Sequence, residues 1–560
     1  MKTYTRLQRA ETTAAMHAGA AAGQTQRQIA AELGVARSTL QGWADPAAPA
    51  DAALPAPVLE VLQTAVGVRW LHQVVVAAQF VITLRAAAGV RMVCEFLQLS
   101  GLSSVVGASY GSQQALNAAL EAAVVATAEA QRRQLAAGMA PRQVTVCEDE
   151  TFHPDICLVA LEPIANFILL EQYAADRSAA TWTQALRAAL EGLAVEVVQG
   201  TSDEAKALRR HHTHDCQAQH SPDLFHVQHE VSKATSLYLA RQVRQAEAGV
   251  AAAEATWQEA RAAEQAYRAQ GTHPRGRPPA FAARRQAALT AVAAAEVEHQ
   301  QAQTHQTEAR ELIRALGQLY HPYDLASGQA QPVAAVAARF EALWQQLQRL
   351  AAAVDLPARA REHLAKAERV TTQLLATLAF VVASLQAKVE ALNLAPELEE
   401  AVRTQLVPAI YLERVATRTG DAAQRHALQA LSGQLLAPLR QGDHPLQRLP
   451  AAERAHIEQV ATECANLFQR SSSAVEGRNG QLALFHHGRH RLSPRKLAAL
   501  TAVHNYHIPR PDGTTAAERF FGRSHPPLFE QLLDHIPLPP RPRRRRPPPP
   551  RAPYLMPMAA

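Results

Sequence analysis

Two acids lie where a chain of this kind could use them on a metal. Asp149, in VCEDETF, closes a β-rich run that begins QVTV, and Asp203, in VVQGTSDEAKAL, follows a second such run and a turn through Gly200 and Ser202. Strand alternation puts Asp149 on the face of Thr145 and Cys147 and turns Glu148 and Glu150 to the opposite face, where either is an alternative ligand. Asp203 has a competing use, since Ser202 or Asp203 would also cap the helix that EAKAL opens. Carboxylates on a rigid frame suit hard Mg2+ or Mn2+. Two such ions about 3.5–4 Å apart can neutralise a phosphodiester, activate a water or 3′-hydroxyl and stabilise the leaving oxygen. Phosphodiester cleavage or transfer is the chemistry such acids could serve, and it would require a third acid.

The elements that must position these acids lie between 141 and 230. QVTVCED, ICLVALE and FILLEQYA are three short β-rich runs. SAATWTQALRAALEGL is an amphipathic helix, AVEVVQG a strand, EAKALRRHH a helix and PDLFHV a last strand. This order resembles that of the ribonuclease H-like fold. The resemblance implies that the first and fourth strands are central neighbours, so that Asp149 and Asp203 meet.

The third acid comes from a further resemblance. SSSAVEGRNG at 471–480, with HHGRHRLSPRKLAAL and NYHIPRPDGTTAAERFFG after it, resembles the C-terminal catalytic segment of bacterial insertion-sequence transposases of the DDE type. In that group a Glu is followed by Gly and, two residues on, by Asn, which here are Glu476, Gly477 and Asn479. DLFHVQHEV is similar to the group's Asp-x-Phe-His strand, matching Asp223, Phe225, His226 and Val227. The resemblance covers roughly 141–230 and 471–522. It implies that Asp149, Asp203 and Glu476 are the catalytic, metal-ligating acids for two Mg2+ (or Mn2+) ions, supported by Asp223, His226 and Asn479. Asn479, one turn from Glu476, would steady that carboxylate or touch substrate, while Arg478, Arg489, Arg491, Arg495 and Lys496 would contact phosphate. The chain departs from compact members of the group in the 273 residues between Asp203 and Glu476. An all-helical insertion accounts for the interval, and Glu230 is the competing third acid.

Around this core the sequence predicts an α+β, predominantly helical protein with a ribonuclease H-like mixed β-sheet. Residues 1–44 form a helix-turn-helix unit: in TQRQIAAELGVARSTLQGWA, Ile29, Val35, Leu40 and Trp43 anchor the packing, Gly34 makes the turn, and Arg37, Ser38, Thr39 and Gln41 face a DNA major groove. A Pro/Ala linker (45–58) leads to a helical domain (59–140), the first part of the core (141–230), an all-helical insertion (231–470), the C-terminal part of the core (471–535) and a disordered Pro/Arg-rich tail (536–560). Within the insertion, Val243, Ala246, Val250, Ala253, Trp257, Ala260 and Tyr267 make a heptad seam, and a turn at GTHPRGRPP predicts a coiled-coil hairpin over about 238–319. Arg275, Arg277, Arg284 and Arg285 would let this arm lie along DNA.

Composition agrees without deciding. The net charge is +6, and only six of the 56 basic residues are lysine, an arginine bias that suits phosphate but also marks a GC-rich coding sequence. Five scattered cysteines without a CxxC pair predict free thiols, and the lack of a signal-peptide pattern or an unbroken apolar span predicts a cytoplasmic protein with no membrane partner. RRHHTHDC offers His211, His212, His214 and Cys216, with His220 beyond, but matches no structural zinc spacing and reads as a polar, partly exposed segment. The resulting expectation is a DNA transposase acting on double-stranded element ends and target DNA as a homodimer or higher oligomer. The alternatives are a catalytically inactive transposase-derived DNA-binding regulator and a helical scaffold.

Overall fold

The computed structural model describes residues 4–44, 54–152, 154–272, 276–489 and 491–538. Most of the expected linker, Arg275 in the hairpin turn, the Arg489 side chain and the tail beyond 538 fall outside those residues. Helices dominate the chain, and the described strands form one five-stranded mixed sheet, an α+β arrangement. The strands are β1 (Arg142–Phe152), β2 (Ile156–Glu162), β3 (Phe167–Ala174), β4 (Val195–Ser202) and β5 (Gln219–Pro222). Their order across the sheet is β3-β2-β1-β4-β5. The first three make an antiparallel meander, whereas β4 lies parallel to both β1 and β5.

The central position of β1 follows from its residues. Val144 through Glu148 are buried without alternation, as a strand covered on both faces must be. One cover is the Ala179–Leu190 helix, whose Trp182 and Leu186 pack on Leu158, Ala160 and Leu170 and which carries the chain from β3 across to β4. The last strand differs from expectation. β5 is QHSP, and DLFHV begins the 46-residue helix Leu224–Ala269 instead of forming the strand itself. Asp223 is a strong N-cap, accepting a hydrogen bond from Phe225 N at 2.7 Å, and Leu224, Val227 and Val231 recur at helical spacing on the buried side.

Residues 59–140 are helical, as expected, but share a core with the sheet. Leu71, Phe80 and Leu120 belong to the same buried cluster as Val159 of β2 and Phe520 near the C-terminus. A second large core, from Leu224 to Phe468, holds the helical insertion. Its arm is the antiparallel pair Leu224–Ala269 and Phe281–Leu319. All seven expected seam residues are half-buried, most of them between exposed neighbours, and Ala288, Ala302, Ala309 and Leu316 face them at multiples of seven. Arg285 is paired with buried Glu264 at 2.7 Å, so it braces the hairpin, whereas Arg277 and Arg284 are exposed.

The N-terminal unit has helices Arg6–Ala21, Gln26–Glu32 and Arg37–Ala44 around Met16, Ile29, Val35 and Leu40. Gly34 takes φ +60° between the last two, the left-handed turn conformation that favours glycine. Arg37, Ser38 and Gln41 are exposed and Thr39 is half-buried. All five cysteines are free. Two helical stretches, Ala65–Arg85 and Ala358–Glu390, are long and apolar enough to cross a bilayer by composition. Leu71, Val75 and Phe80 in the first, and Leu374, Leu378 and Val381 in the second, are buried in the two cores.

Candidate metal-binding site

Asp149 and Asp203 stand side by side because of the parallel pairing of β1 with β4. The register runs through Cys147 opposite Thr201, and two further residues along each strand direction lie Asp149 and Asp203. Side-chain alternation separates the acids of VCEDETF as expected. Thr145 and Cys147 donate towards Leu467 O and Ser471 O, and Asp149 faces the same side, where its Oδ2 accepts from Asn479 Nδ2 at 3.0 Å. Glu148 and Glu150 point the other way. Glu150 accepts from Trp182 Nε1 at 3.1 Å, and Glu148 is enclosed with His211 and His212. Neither neighbour competes with Asp149 for the face that carries Asn479.

The opposite wall of the site is built where the helical insertion leaves and rejoins the core. Asp223 N donates to Ser202 O at 2.9 Å, placing the start of the long helix against the end of β4. Leu224 N then donates to Arg470 O at 2.9 Å, and Asp223 Oδ2 accepts from Ser472 N at 3.1 Å and from the Ser472 hydroxyl. This clasp brings in the helix Ser473–Arg489 with Glu476 in its first turn. Ligand atoms of Asp223, His226 and Glu476 lie within 4.8 Å of one another. Asp203, Asp223, His226 and Glu230 line a cleft of about 280 Å³.

Electrostatics mark the site as short of positive charge. Burial, then the nearby Glu150 and Asp203 carboxylates, push Asp149 up to about 7, against the hydrogen bond from Glu150 N and the pull of His226. Burial and the nearby Asp223 also raise Glu476. Glu204, next to Asp203, is raised by burial as well, with Arg209 opposing. Carboxylates that resist ionisation for these reasons are relieved by a divalent cation, and an oxygen-rich donor set is what Mg2+ or Mn2+ takes. The residues present fit such an ion.

Not every expected residue is where the sequence put it. Asp149, Asp203 and Glu476 do not form one cluster within 4.8 Å; it is Asp223 and His226, expected only in support, that group with Glu476. Asn479 holds Asp149 and not Glu476. The site's use of Asp223 was hidden by reading DLFHV as a strand, and the signal that could have revealed it was the Asp N-cap followed by i, i+3, i+7 apolar residues. Glu230 lines the cleft but is neutralised: despite the cost of burial, His363 at 2.6 Å and Lys366 at 3.1 Å bring it down to about 2.

Among the basic residues, Arg478 is 6% exposed and makes a two-pronged pair with Glu171 at 2.7 and 2.6 Å. Lys496 is buried, donating to Thr83 O at 2.7 Å beside Glu121. Both therefore hold the core together instead of meeting phosphate at the surface. Arg491 and Arg495 remain accessible, each with one acidic neighbour, Asp155 and Glu121. The HHTHD segment is partly exposed, as expected, but divided: Thr213 and His214 face solvent whereas His211 and His212 are fully buried.

Residues 402–548, about a quarter of the chain, match a family described only as a family of unknown function, DUF6399. The match runs from the last part of the helical insertion through Glu476 and the helices after it. No curated protein matches the chain.

Proposed function

We propose that the protein is a DDE-type DNA transposase, a metal-dependent enzyme that cleaves DNA strands and transfers the freed ends to mobilise an insertion sequence. The observation that carries this reading is the arrival of Glu476, 273 residues beyond Asp203, within ligand reach of Asp223 and His226, which line a cleft together with Asp203 at the end of β4. The strand order β3-β2-β1-β4-β5, with only β2 running against its neighbours, supports a ribonuclease H-like core. A fold does not by itself imply a reaction, so the proposal rests on the acids and their placement.

Asp149, Asp203 and Glu476, with Asp223 and His226 at the same cleft, would hold Mg2+ or Mn2+, which supplies charge neutralisation at the phosphate and a more acidic nucleophile. The chain's own residues orient the site. Asn479 fixes the direction of the Asp149 carboxylate, and Asp223 fastens the Glu476 helix to the end of β4 through Ser472. Double-stranded DNA is the partner this reading requires. Arg37, Ser38, Thr39 and Gln41 on the third N-terminal helix, together with Arg277, Arg284, Arg491 and Arg495, are among the described groups available to it.

The test is nicking of duplexes that carry the sequences flanking this reading frame, by the full chain with Mg2+ or Mn2+. Asp203→Asn and Glu476→Gln are expected to lower cleavage by on the order of 10²–10³-fold, the usual cost of losing one charge-stabilising group, with DNA binding retained. Glu230→Gln should cleave normally. Cleavage that survives Glu476→Gln but is lost with Glu230→Gln would overturn the assignment of the third acid. Absence of metal-dependent cleavage by the wild-type chain would overturn the enzyme reading.

A further inference from the structure

Directly behind the strand that carries Asp149, on the other face of the sheet, lies a second group of potential ligands: Glu148, His211 and His212. All three side chains are fully buried. His211 Nε2 is 3.5 Å from Glu148 Oε1, and His212 Nε2 is 3.0 Å from Glu148 Oε2. Those contacts look like ion pairs by distance, but they are out of line for N–H···O bonding. Both Glu148 oxygens and both His212 nitrogens have no hydrogen-bond partner. The neighbouring imidazoles can offset the charge of Glu148, but they leave both of its oxygens and both His212 nitrogens without an aligned hydrogen bond, and a cation between the three side chains would satisfy them.

We propose that Glu148, His211 and His212 bind a zinc-type transition-metal ion, separate from the acidic cleft. The separations fit. Ligand atoms about 2.0–2.2 Å from a tetrahedral zinc stand roughly 3.3 Å from each other, and each imidazole lies 3.5 or 3.0 Å from one of the two Glu148 oxygens. Two imidazoles with one carboxylate form a donor set that zinc takes and Mg2+ does not favour. The surroundings also prepare the ligands. His211 Nδ1 is 2.8 Å from the hydroxyl of Thr183, which itself donates to Ala179 O, so Nδ1 carries a proton and Nε2, the nitrogen facing Glu148, is the one that would meet an ion.

The backbone is shaped for this convergence. Consecutive residues of a regular helix point about 100° apart. Here the segment His211–Asp215 is a π-turn closed by Cys216 N to His211 O at 2.9 Å, and the two adjacent rings have centroids 4.8 Å apart. Room for His212 is made by Gly200 of β4, where an added Cβ would lie 1.9 Å from the ring. Cys216 lies 3.6 and 3.7 Å from the two nitrogens of His211, against the side of the ring, and does not join the group. The ion would tie β1, at the residue next to Asp149, to the turn that follows β4. Its presence does not depend on the enzymatic reading.

The test is the metal content of the full chain, purified without an affinity tag that binds metal and with none added, by plasma mass spectrometry. About one equivalent of zinc is expected in the wild type and in Asp203→Asn, and a small fraction of that in Glu148→Gln and His212→Ala. Since those two variants could fail by misfolding, the wild type is also read directly. Zinc X-ray absorption should show two imidazole ligands, and cobalt(II) put in after chelation should give the intense visible bands of low coordination without a thiolate charge-transfer band. A wild-type chain that retains no metal and takes up no cobalt overturns the proposal. So does bound metal that survives Glu148→Gln and disappears with Asp203→Asn, or a spectrum showing thiolate or fewer than two imidazoles.

Discussion

Replacing Asp149 with Asn should make the chelated protein more stable, and increasingly so as the pH rises. The Asp149 carboxyl titrates at about 7 against an ordinary 3.8, chiefly through burial. The folded chain thus keeps a proton that the unfolded chain has already released, and stability falls as pH rises from about 4 through about 7. At about 1.4 kcal/mol per pH unit the ceiling on this loss is about 4 kcal/mol, of which roughly 3 accrues between pH 5 and pH 8. Asn avoids the loss at little structural cost. Its oxygen can still accept from Glu150 N, and Asn479, whose Oδ1 has no partner, can turn its amide to accept from the new NH2 group. Thermal unfolding in chelator, followed by intrinsic fluorescence, should show Asp149→Asn gaining several degrees over wild type at pH 8, at about 2–4 °C per kcal/mol, and clearly less at pH 5. Comparing the two proteins cancels the buried histidines, such as His220 and His504, whose lowered values act in the opposite direction. Millimolar Mg2+ should narrow the gap by stabilising only the wild type. A variant less stable than wild type at pH 8, or a gain equal at both pH values, would refute the claim that burial and the neighbouring carboxylates strain the Asp149 carboxyl.

Two further substitutions separate structural from functional roles near Glu476. Arg478→Ala leaves the fully buried Glu171 carboxylate without its guanidinium and should cost about 3–5 kcal/mol by thermal or denaturant unfolding, whereas replacing both partners by apolar residues of similar size should recover much of it. DNA affinity of the folded fraction, read by gel shift, should be unchanged. Gly477→Ala adds a Cβ with nothing within 4 Å, in a helix where alanine is better by up to about 1 kcal/mol, so the fold should be slightly stabilised. A drop in DNA cleavage is nevertheless expected, because DNA lying against this bare strip next to Glu476 would meet the new methyl; undiminished cleavage would place the DNA elsewhere.

What could be read from the sequence depended on how local the pattern was. Four of the five strands and the crossover helix were visible in β-rich runs and in the spacing of Trp182 and Leu186, and alternation alone separated Asp149 from Glu148 and Glu150. The hairpin seam was visible for the same reason: a sevenfold repeat is a local signal, and each of its positions is half-buried. Burial of charge was not visible. Arg478 and Lys496 look like surface residues in any sequence window, and only the distant Glu171 and Glu121 make them core residues. The pair His211 and His212 fitted no spacing rule because the rules assume regular helix, and a π-turn under β1 changes which side chains can meet. Nor could a local pattern show that the helices of 59–140 share their core with β2 and the C-terminal helices.

The long interval before Glu476 proves to be less of an obstacle than its length suggests. The inserted helices leave the core at Asp223–Leu224 and return at Arg470–Ser472, and these two points are hydrogen-bonded to each other. An insertion whose ends already touch adds chain without moving what it interrupts, and the entropy of closing it grows only as the logarithm of its length. Its hydrophobic core, from Leu224 to Phe468, is largely its own, with Val198 of β4 packed at its edge. Asp223 does three things at once: it caps the outgoing helix, anchors the returning strand of chain at Ser472, and lies within ligand reach of Glu476. That is why the position of Glu476 depends on one aspartate at the root of the insertion and not on the residues in between. It is also why the acid whose role was least evident from the strand pattern is the one on which the geometry of the cleft turns.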